Sequence, residues 1–275
     1  MSLITVDPEL CNRDGICAAE CPMKIIAFDA KGGATPALFD GAEPMCMNCG
    51  HCVAVCPTAA LTHKNLSPAD CLPVNADWLP DPVRAEHFLR SRRSIRVYRK
   101  KPVPREDMKK LLNIARYAPS GHNLQPVKWL VVDGPEKVQQ LAAHVADWMR
   151  FMIKEHPQMA GAMHFDIVVG AWESNVDVIC RNAPALVLTY AGKNDRTAPA
   201  ACTLAMAYLD LAAPSLGLGS CWAGYFGVAA AQWPGLQEAL ALPEGCITYA
   251  AMMVGTPKFK YHRMPARKPV DVTWR

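Results

Sequence analysis

Apolar residues recur at helical spacing in two stretches of the chain. Met108, Leu111, Leu112 and Ala115 form the first stripe. Pro104, Glu106 and Asp107 stand before it, residue types suited to a helix start. Tyr117-Ala118-Pro119 ends it. Val138, Leu141, Ala142, Val145 and Trp148 form the second stripe and predict another amphipathic helix. Between the two helices lies a polar loop bounded by prolines, Pro119-Ser120-Gly121-His122-Asn123-Leu124-Gln125-Pro126. The run Val127–Asp133 then reads as a strand, stopped by Gly134-Pro135. Upstream, Pro68, Pro73, Pro80 and Pro82 resist both helix and central strand. They predict a linker over residues 67–84, with one domain at 1–66 and a larger one at 85–275.

Composition narrows the setting. Of 275 residues, 51% are hydrophobic, enough to bury a sizeable core. A net charge of +4 is too mild to imply a nucleic-acid or anionic-membrane partner. No stretch approaches the roughly 18 apolar residues of a membrane-spanning helix. The first residues, Met1 to Pro8, carry an acid where a signal peptide has bases and an apolar run. The expectation is a cytoplasmic protein with no membrane and no nucleic-acid partner. In that compartment twelve cysteines read as metal ligands or free thiols, not as disulfides.

Seven of the twelve crowd between Cys11 and Cys56. Cys46, Cys49, Cys52 and Cys56, followed by Pro57, form the C-x2-C-x2-C-x3-C-P run of bacterial two-cluster iron–sulfur proteins. The first three thiolates clamp one cluster and the fourth reaches the other. A structural zinc site usually takes two separated pairs, which this run does not provide. Cys11, Cys17 and Cys21, followed by Pro22, repeat the pattern with Asp14 at the second position. Exchange of the fourth ligands gives one 4Fe–4S cluster on Cys46, Cys49, Cys52 and Cys21. The other cluster falls to Cys11, Cys17 and Cys56, with Asp14 as the candidate fourth ligand. A carboxylate is harder than a thiolate, so this second cluster is either an Asp-ligated 4Fe–4S or a 3Fe–4S that has lost the iron. Asp14 also suits a plain turn before Gly15. Residues 1–65 resemble the bacterial ferredoxins, which implies a small pseudo-symmetric fold of two strand–helix–strand halves.

The second domain opens on a basic segment, Arg90 to Lys101, in which Arg92, Arg93, Ser94 and Arg96 combine guanidinium forks with a hydroxyl. Such a set suits a phosphate monoester, whereas Arg99, Lys100 and Lys101 read as surface charge. That segment, the loop "APSGHNLQP", "LAAPSLGLGSCWAGYF" (211–226) and "MMVGTPKFKYHRMPARKP" (252–269) follow one another as in the FMN-dependent nitroreductase family. The resemblance covers roughly residues 85–275. With the first domain included, the whole chain is similar to ferredoxin–nitroreductase fusions. It implies an α+β architecture, a ferredoxin-like two-cluster domain followed by a nitroreductase-like α+β sandwich.

The resemblance also implies a site. Arg92, Arg93, Ser94 and Arg96 correspond to the segment binding the FMN phosphate and ribityl chain. Ser120, Gly121, Asn123 and Gln125 correspond to the loop that hydrogen-bonds the flavin, supplied in this family by one subunit of a homodimer. Trp222, Ala223 and Gly224 correspond to the strand end along the flavin, with the Ala223 N–H as candidate partner of flavin N5. Arg267 corresponds to a basic residue near the phosphate. Trp222 could equally be core packing. Cys221 reads as a small packed hydrophobe and His122 as a loop residue. The methionines between Met149 and Met163 suit either adaptable lining or core. No dinucleotide fingerprint follows a strand, since Gly217-Leu-Gly219 continues with the wrong spacing.

Two functions are compatible with these residues. One is an oxidoreductase in which an external donor such as reduced ferredoxin loads the clusters, then FMN, then a small acceptor (nitro, quinone or another reducible compound). The other is an electron-transfer or redox-sensing protein without a dedicated small substrate. No protein acid or base is nominated, because the cofactor carries the chemistry.

Overall fold

The computed structural model describes residues 2–29 and 32–275. They divide into two compact units, one over residues 1–80 and one over 81–275 apart from the turn at 122–124.

The first unit is built twice over. β1 (Ile4–Val6), α1 (Ile16–Glu20) and β2 (Ile26–Ala27) make one half; β3 (Ala37–Leu38), α2 (His51–Ala54) and β4 (Leu61–His63) make the other. β1 pairs antiparallel with β4, setting Ile4 opposite His63, and β2 pairs antiparallel with β3. The two halves repeat a left-handed backbone at matching places: Arg13 and Asn48, Gly15 and Gly50, Lys24 and Ala59. Glycine is required before each helix. A Cβ on Gly15 would meet Phe28 at 2.5 Å, and one on Gly50 would meet Leu66 at 2.6 Å. Helices of five and four residues do not hold themselves. The core beneath them is small: Ile4, Ile25, Ile26, Val53 and Leu61, with Cys17 and Cys21 buried among them. A unit of this size with so slight a core needs a further staple, and metal is one such staple.

The second unit runs α3 (Pro82–Ser91), α4 (Arg105–Ala115), β5 (Lys128–Asp133), α5 (Pro135–Glu155), α6 (Pro157–Ala162), α7 (Phe165–Glu173), β6 (Ala185–Gly192), α8 (Ala198–Ala212), β7 (Gly219–Trp222), α9 (Gly224–Gln232), α10 (Pro234–Leu240) and β8 (Cys246–Gly255). The sheet has the order β5-β6-β8-β7, with every pair antiparallel. Alternate side chains of the central strands enter two cores. Leu186, Leu188 and Met253 join Val145, Trp148, Phe165 and Phe226 of the helices on one face. Val187, Met252 and Val254 join Met108, Leu111, Met206 and Leu209 on the other. The result is an α+β sandwich with helices on both sheet faces. The stripe predicted around Met108–Ala115 is α4, the one around Val138–Trp148 is α5, and the strand between them is β5. The proline-rich stretch holds 3₁₀ turns at Pro68–Asp70 and Ala76–Trp78 and the start of α3, where Asp81 Oδ1 caps the Arg84 N–H at 2.9 Å. Among the described residues no helix is long and apolar enough to cross a membrane.

Candidate functional site

In the first unit the thiols stand in two groups. Burial raises the Cys17 thiol above its ordinary value, and Cys56 and Cys11 act on it as like-charged neighbours. Burial pushes the Cys52 thiol up to about 11, with Cys49, Cys46 and Cys21 as its neighbours. Cys21, Cys46, Cys49 and Cys52 also line one cavity. A thiol raised in this way keeps its proton until a metal displaces it. Cys56 behaves differently. Burial raises it, but the Thr58 hydroxyl and the backbone N–H groups of Ala60, Leu61 and Thr58 reverse the sign and favour the thiolate. Among the described residues no three His, Cys, Asp or Glu side chains lie close enough to share one metal ion. The donor set itself, seven soft thiols in two groups, fits iron–sulfur clusters.

Asp14 lies between left-handed Arg13 and Gly15, as Cys49 lies between left-handed Asn48 and Gly50. It is exposed, and its Oδ1 accepts the Ile16 N–H at 3.1 Å. One carboxylate oxygen therefore shapes the turn, at the backbone position equivalent to Cys49. His63 is a neighbour the motif does not reveal. Its Nδ1 accepts the Asn65 N–H at 3.1 Å, so Nε2 bears the proton and points at Cys46 Sγ, 3.6 Å away. Burial lowers its pKa and favours the neutral ring.

In the second unit the segment after α3 is pinned to β7. The Ile95 N–H donates to the Ser220 carbonyl at 2.9 Å, and the Tyr98 hydroxyl donates to the Ile95 carbonyl at 2.6 Å. Gly219 makes this approach available, because a Cβ there would stand 2.5 Å from Ile95. Arg92 is set in place by Asp210, a buried carboxylate that takes the guanidinium at 3.3 Å and the Ser220 hydroxyl at 2.5 Å. Arg92 keeps donors to spare beyond this bond. Ser94 makes no side-chain hydrogen bond of its own among those found in the described residues, and Arg96 is exposed without a carboxylate partner.

The Arg93 terminal nitrogens donate to the carbonyls of Arg92 (2.8 Å) and Arg90 (3.0 Å) at the end of α3, while its Nε is buried without a hydrogen-bond partner among the described residues and the residue lines a groove with Arg92. One expectation needs correction. The Ala223 N–H does not face a ligand. It donates to the Ala251 carbonyl at 2.9 Å, continuing the β7–β8 pairing by one residue, and Ala223 is buried. The next residue, Gly224, opens α9, where N–H groups have no partner inside the helix. No atom lies within 4 Å of the place a Gly224 Cβ would occupy.

Arg96, Trp222 and Gly224 line a cavity of about 670 Å³ together with Trp148, Met159, Met163, Phe165 and Arg181. Trp222 is 38% exposed and turned to this space, not packed in the core. The methionines divide: Met149 and Met152 are buried, whereas Met159 and Met163 line the cavity. Cys221 is buried and also belongs to the cavity lining. Ser120, Gly121, Asn123 and Gln125 are not among the lining residues. Their loop is locked by the Gln125 N–H donating to Ser120 Oγ at 3.0 Å, with His122, Asn123 and Gln125 all left-handed at φ 51°, 53° and 47°. Such strain is characteristic of functional loops. Arg267 lies exposed in the irregular segment after β8 and is not among the cavity lining. A second basic groove, about 380 Å³, contains Arg92, Asp210, Ser220 and Lys260.

Fold and site define a flavoprotein-like α+β sandwich preceded by a cysteine-rich two-cluster unit. A model described as "Nitroreductase family" matches residues 89–256, and one described as "4Fe-4S dicluster domain" matches residues 9–60. The chain belongs to the nitroreductase family and carries a 4Fe–4S dicluster domain in its first unit. It is 29% identical over 168 residues, 61% of this chain and 82% of the relative, to a protein of Archaeoglobus fulgidus named "Putative NADH dehydrogenase/NAD(P)H nitroreductase". It is 29% identical over 131 residues, 48% of this chain and 68% of the relative, to the iodotyrosine deiodinase of Thermotoga neapolitana. Among solved structures, a Bacteroides fragilis nitroreductase with bound FMN superimposes with a TM-score of 0.57 at 23% identity, covering 70% of this chain and 100% of that one. A BluB-like flavoprotein of Clostridium difficile superimposes with a TM-score of 0.53 at 21% identity, covering 67% and 94%.

Proposed function

We propose that the protein is an iron–sulfur flavoprotein oxidoreductase that passes electrons from its clusters to FMN and on to a small acceptor. The observation that carries this reading is the union, in one chain of the nitroreductase family, of two thiol groups with a cavity that Arg96, Trp222 and Gly224 share. Cys21, Cys46, Cys49 and Cys52 would hold one cluster; Cys11, Cys17 and Cys56, with Asp14, the other. Arg92, Arg93, Ser94 and Arg96 would hold the phosphate and ribityl chain. The Gly224 N–H replaces that of Ala223 as the donor offered to the ring. Bound FMN supplies the transfer of electrons singly or as a hydride.

Ser120, Gly121, Asn123 and Gln125 stand outside the cavity lining of their own chain. We infer that they serve the flavin of a second copy in a homodimer. The mostly apolar cavity favours an enzyme with a small acceptor over a protein that only relays electrons. Anaerobically purified protein should contain FMN, two clusters' worth of iron and sulfide, and reduced-ferredoxin-driven turnover of a nitro or quinone acceptor. Cluster exchange with a partner protein and no acceptor turnover would instead identify an electron carrier.

A further inference from the structure

The cavity of the second unit contains a second guanidinium that the flavin-binding segment does not explain. Arg181 comes from the turn between α7 and β6, far in sequence from Arg92–Arg96. Its backbone is left-handed, φ 57°, as is that of Asn182, φ 49°. A non-glycine residue holds that conformation only where its surroundings impose it. Here they do. Asp177, itself buried, accepts the N–H groups of Ile179 (2.9 Å), Cys180 (2.8 Å) and Asn182 (2.8 Å), on both sides of Arg181. The carboxylate is thereby engaged with backbone, and the Arg181 side chain is left to the cavity.

The charge balance there is one-sided. Arg96 and Arg181 are the charged residues among the lining, no acid accompanies them, and no ion pair is found for either among the described residues. The surrounding walls are apolar, with Trp148, Met159, Met163 and Phe165 among them. A cation among apolar walls gains most from an anion that brings its own apolar body. Arg96 belongs to the segment read as holding the flavin chain. That leaves Arg181 as one planar fork for one planar anion.

We propose that Arg181 binds the carboxylate of the acceptor, so that the substrate class is a small aromatic or otherwise apolar molecule bearing a carboxylate. The methionine and aromatic walls take its apolar body, and Arg181 sets its orientation. This assignment rests on the oxidoreductase reading of the same cavity.

The test uses the full chain loaded with FMN and two matched probes, benzoate and benzamide. Quenching of the cavity tryptophans (Trp148 and Trp222) and perturbation of the flavin spectrum report binding without turnover. Benzoate should bind more tightly than benzamide. Arg181→Gln should weaken benzoate about tenfold or more, the loss of a charge-assisted bond, and leave benzamide unchanged. Arg181→Lys, which keeps the charge, should retain part of the preference. Equal affinity of the wild type for both probes overturns the proposal. So does an Arg181→Gln protein that releases FMN on ultrafiltration, since Arg181 would then be a flavin ligand. If no acceptor is turned over but the benzoate preference persists and depends on Arg181, the oxidoreductase reading fails and the anion site stands.

Discussion

Asp14 occupies the place where the matching half of its unit has Cys49, and as an iron ligand it would be a harder and less covalent donor than sulfur. Iron at that corner should be the one lost first. Asp14→Cys should convert the labile cluster into an all-thiolate 4Fe–4S that survives air. Spin resonance of the wild type should show two unlike clusters, one giving a 3Fe–4S signal on oxidation; two identical all-thiolate signals would remove the special role of Asp14. At this scale the sequence is most legible where the chemistry is local. Seven thiols stand out because their spacing within short runs matches the pattern of cluster-binding cysteines. Arg181, Asp177 and Asp210 do not stand out. What distinguishes them is burial, a left-handed φ or a partner distant in the chain, none of which leaves a short motif. Asp210 comes nearest to a signal, as a lone acid in the apolar run of α8. The engagement of the Ala223 N–H is hidden from the sequence for the same reason: it is consumed by pairing with β8, a contact 28 residues away.

The elements themselves divide along similar lines. α4 and α5 are readable because each carries one helical period, and β5 because it is a short, largely apolar run stopped by glycine and proline. The helices α6 and α7 and the turn leading to β6 are not, because the turn's form depends on the buried Asp177 carboxylate. The approach of the Ser94–Arg96 segment to β7 is likewise tertiary, and it depends on one missing methyl. Gly219→Ala would place a carbon 2.5 Å from Ile95 and 2.8 Å from Pro257. Overpacking of this kind costs about 1–3 kcal/mol and here displaces the segment from the strand. Thermal unfolding should therefore shift down, and FMN should be retained less well. Ser94→Ala and Arg96→Ala should weaken FMN retention as well, by about 1.5–3 kcal/mol for a lost charge-assisted bond, while leaving the unfolding of the apoprotein unchanged. Equal FMN retention in all three variants would show that the segment does not hold the cofactor.

For the whole molecule, the decisive property is covalent union. Two compact units stand in one chain, and under the proposed function that union would keep one redox group at high effective concentration for the other. The proline-rich residues up to Pro80 group with the first unit and hold two 3₁₀ turns, one with a capping box at Ser67 and Asp70. One-electron clusters suit an external one-electron donor, and a flavin can gather single electrons for delivery in pairs. The expected order is therefore reduced ferredoxin to the clusters, the clusters to FMN, and FMN to the acceptor, with NAD(P)H a poorer direct donor. The competing order has NAD(P)H entering at the flavin. Rapid mixing separates the two, because clusters and flavin bleach at different wavelengths. With reduced ferredoxin the cluster signal should fall first and the flavin signal second. If NAD(P)H bleaches the flavin quickly and the clusters only follow, electrons enter at the flavin, and the first unit then serves to carry them out rather than in.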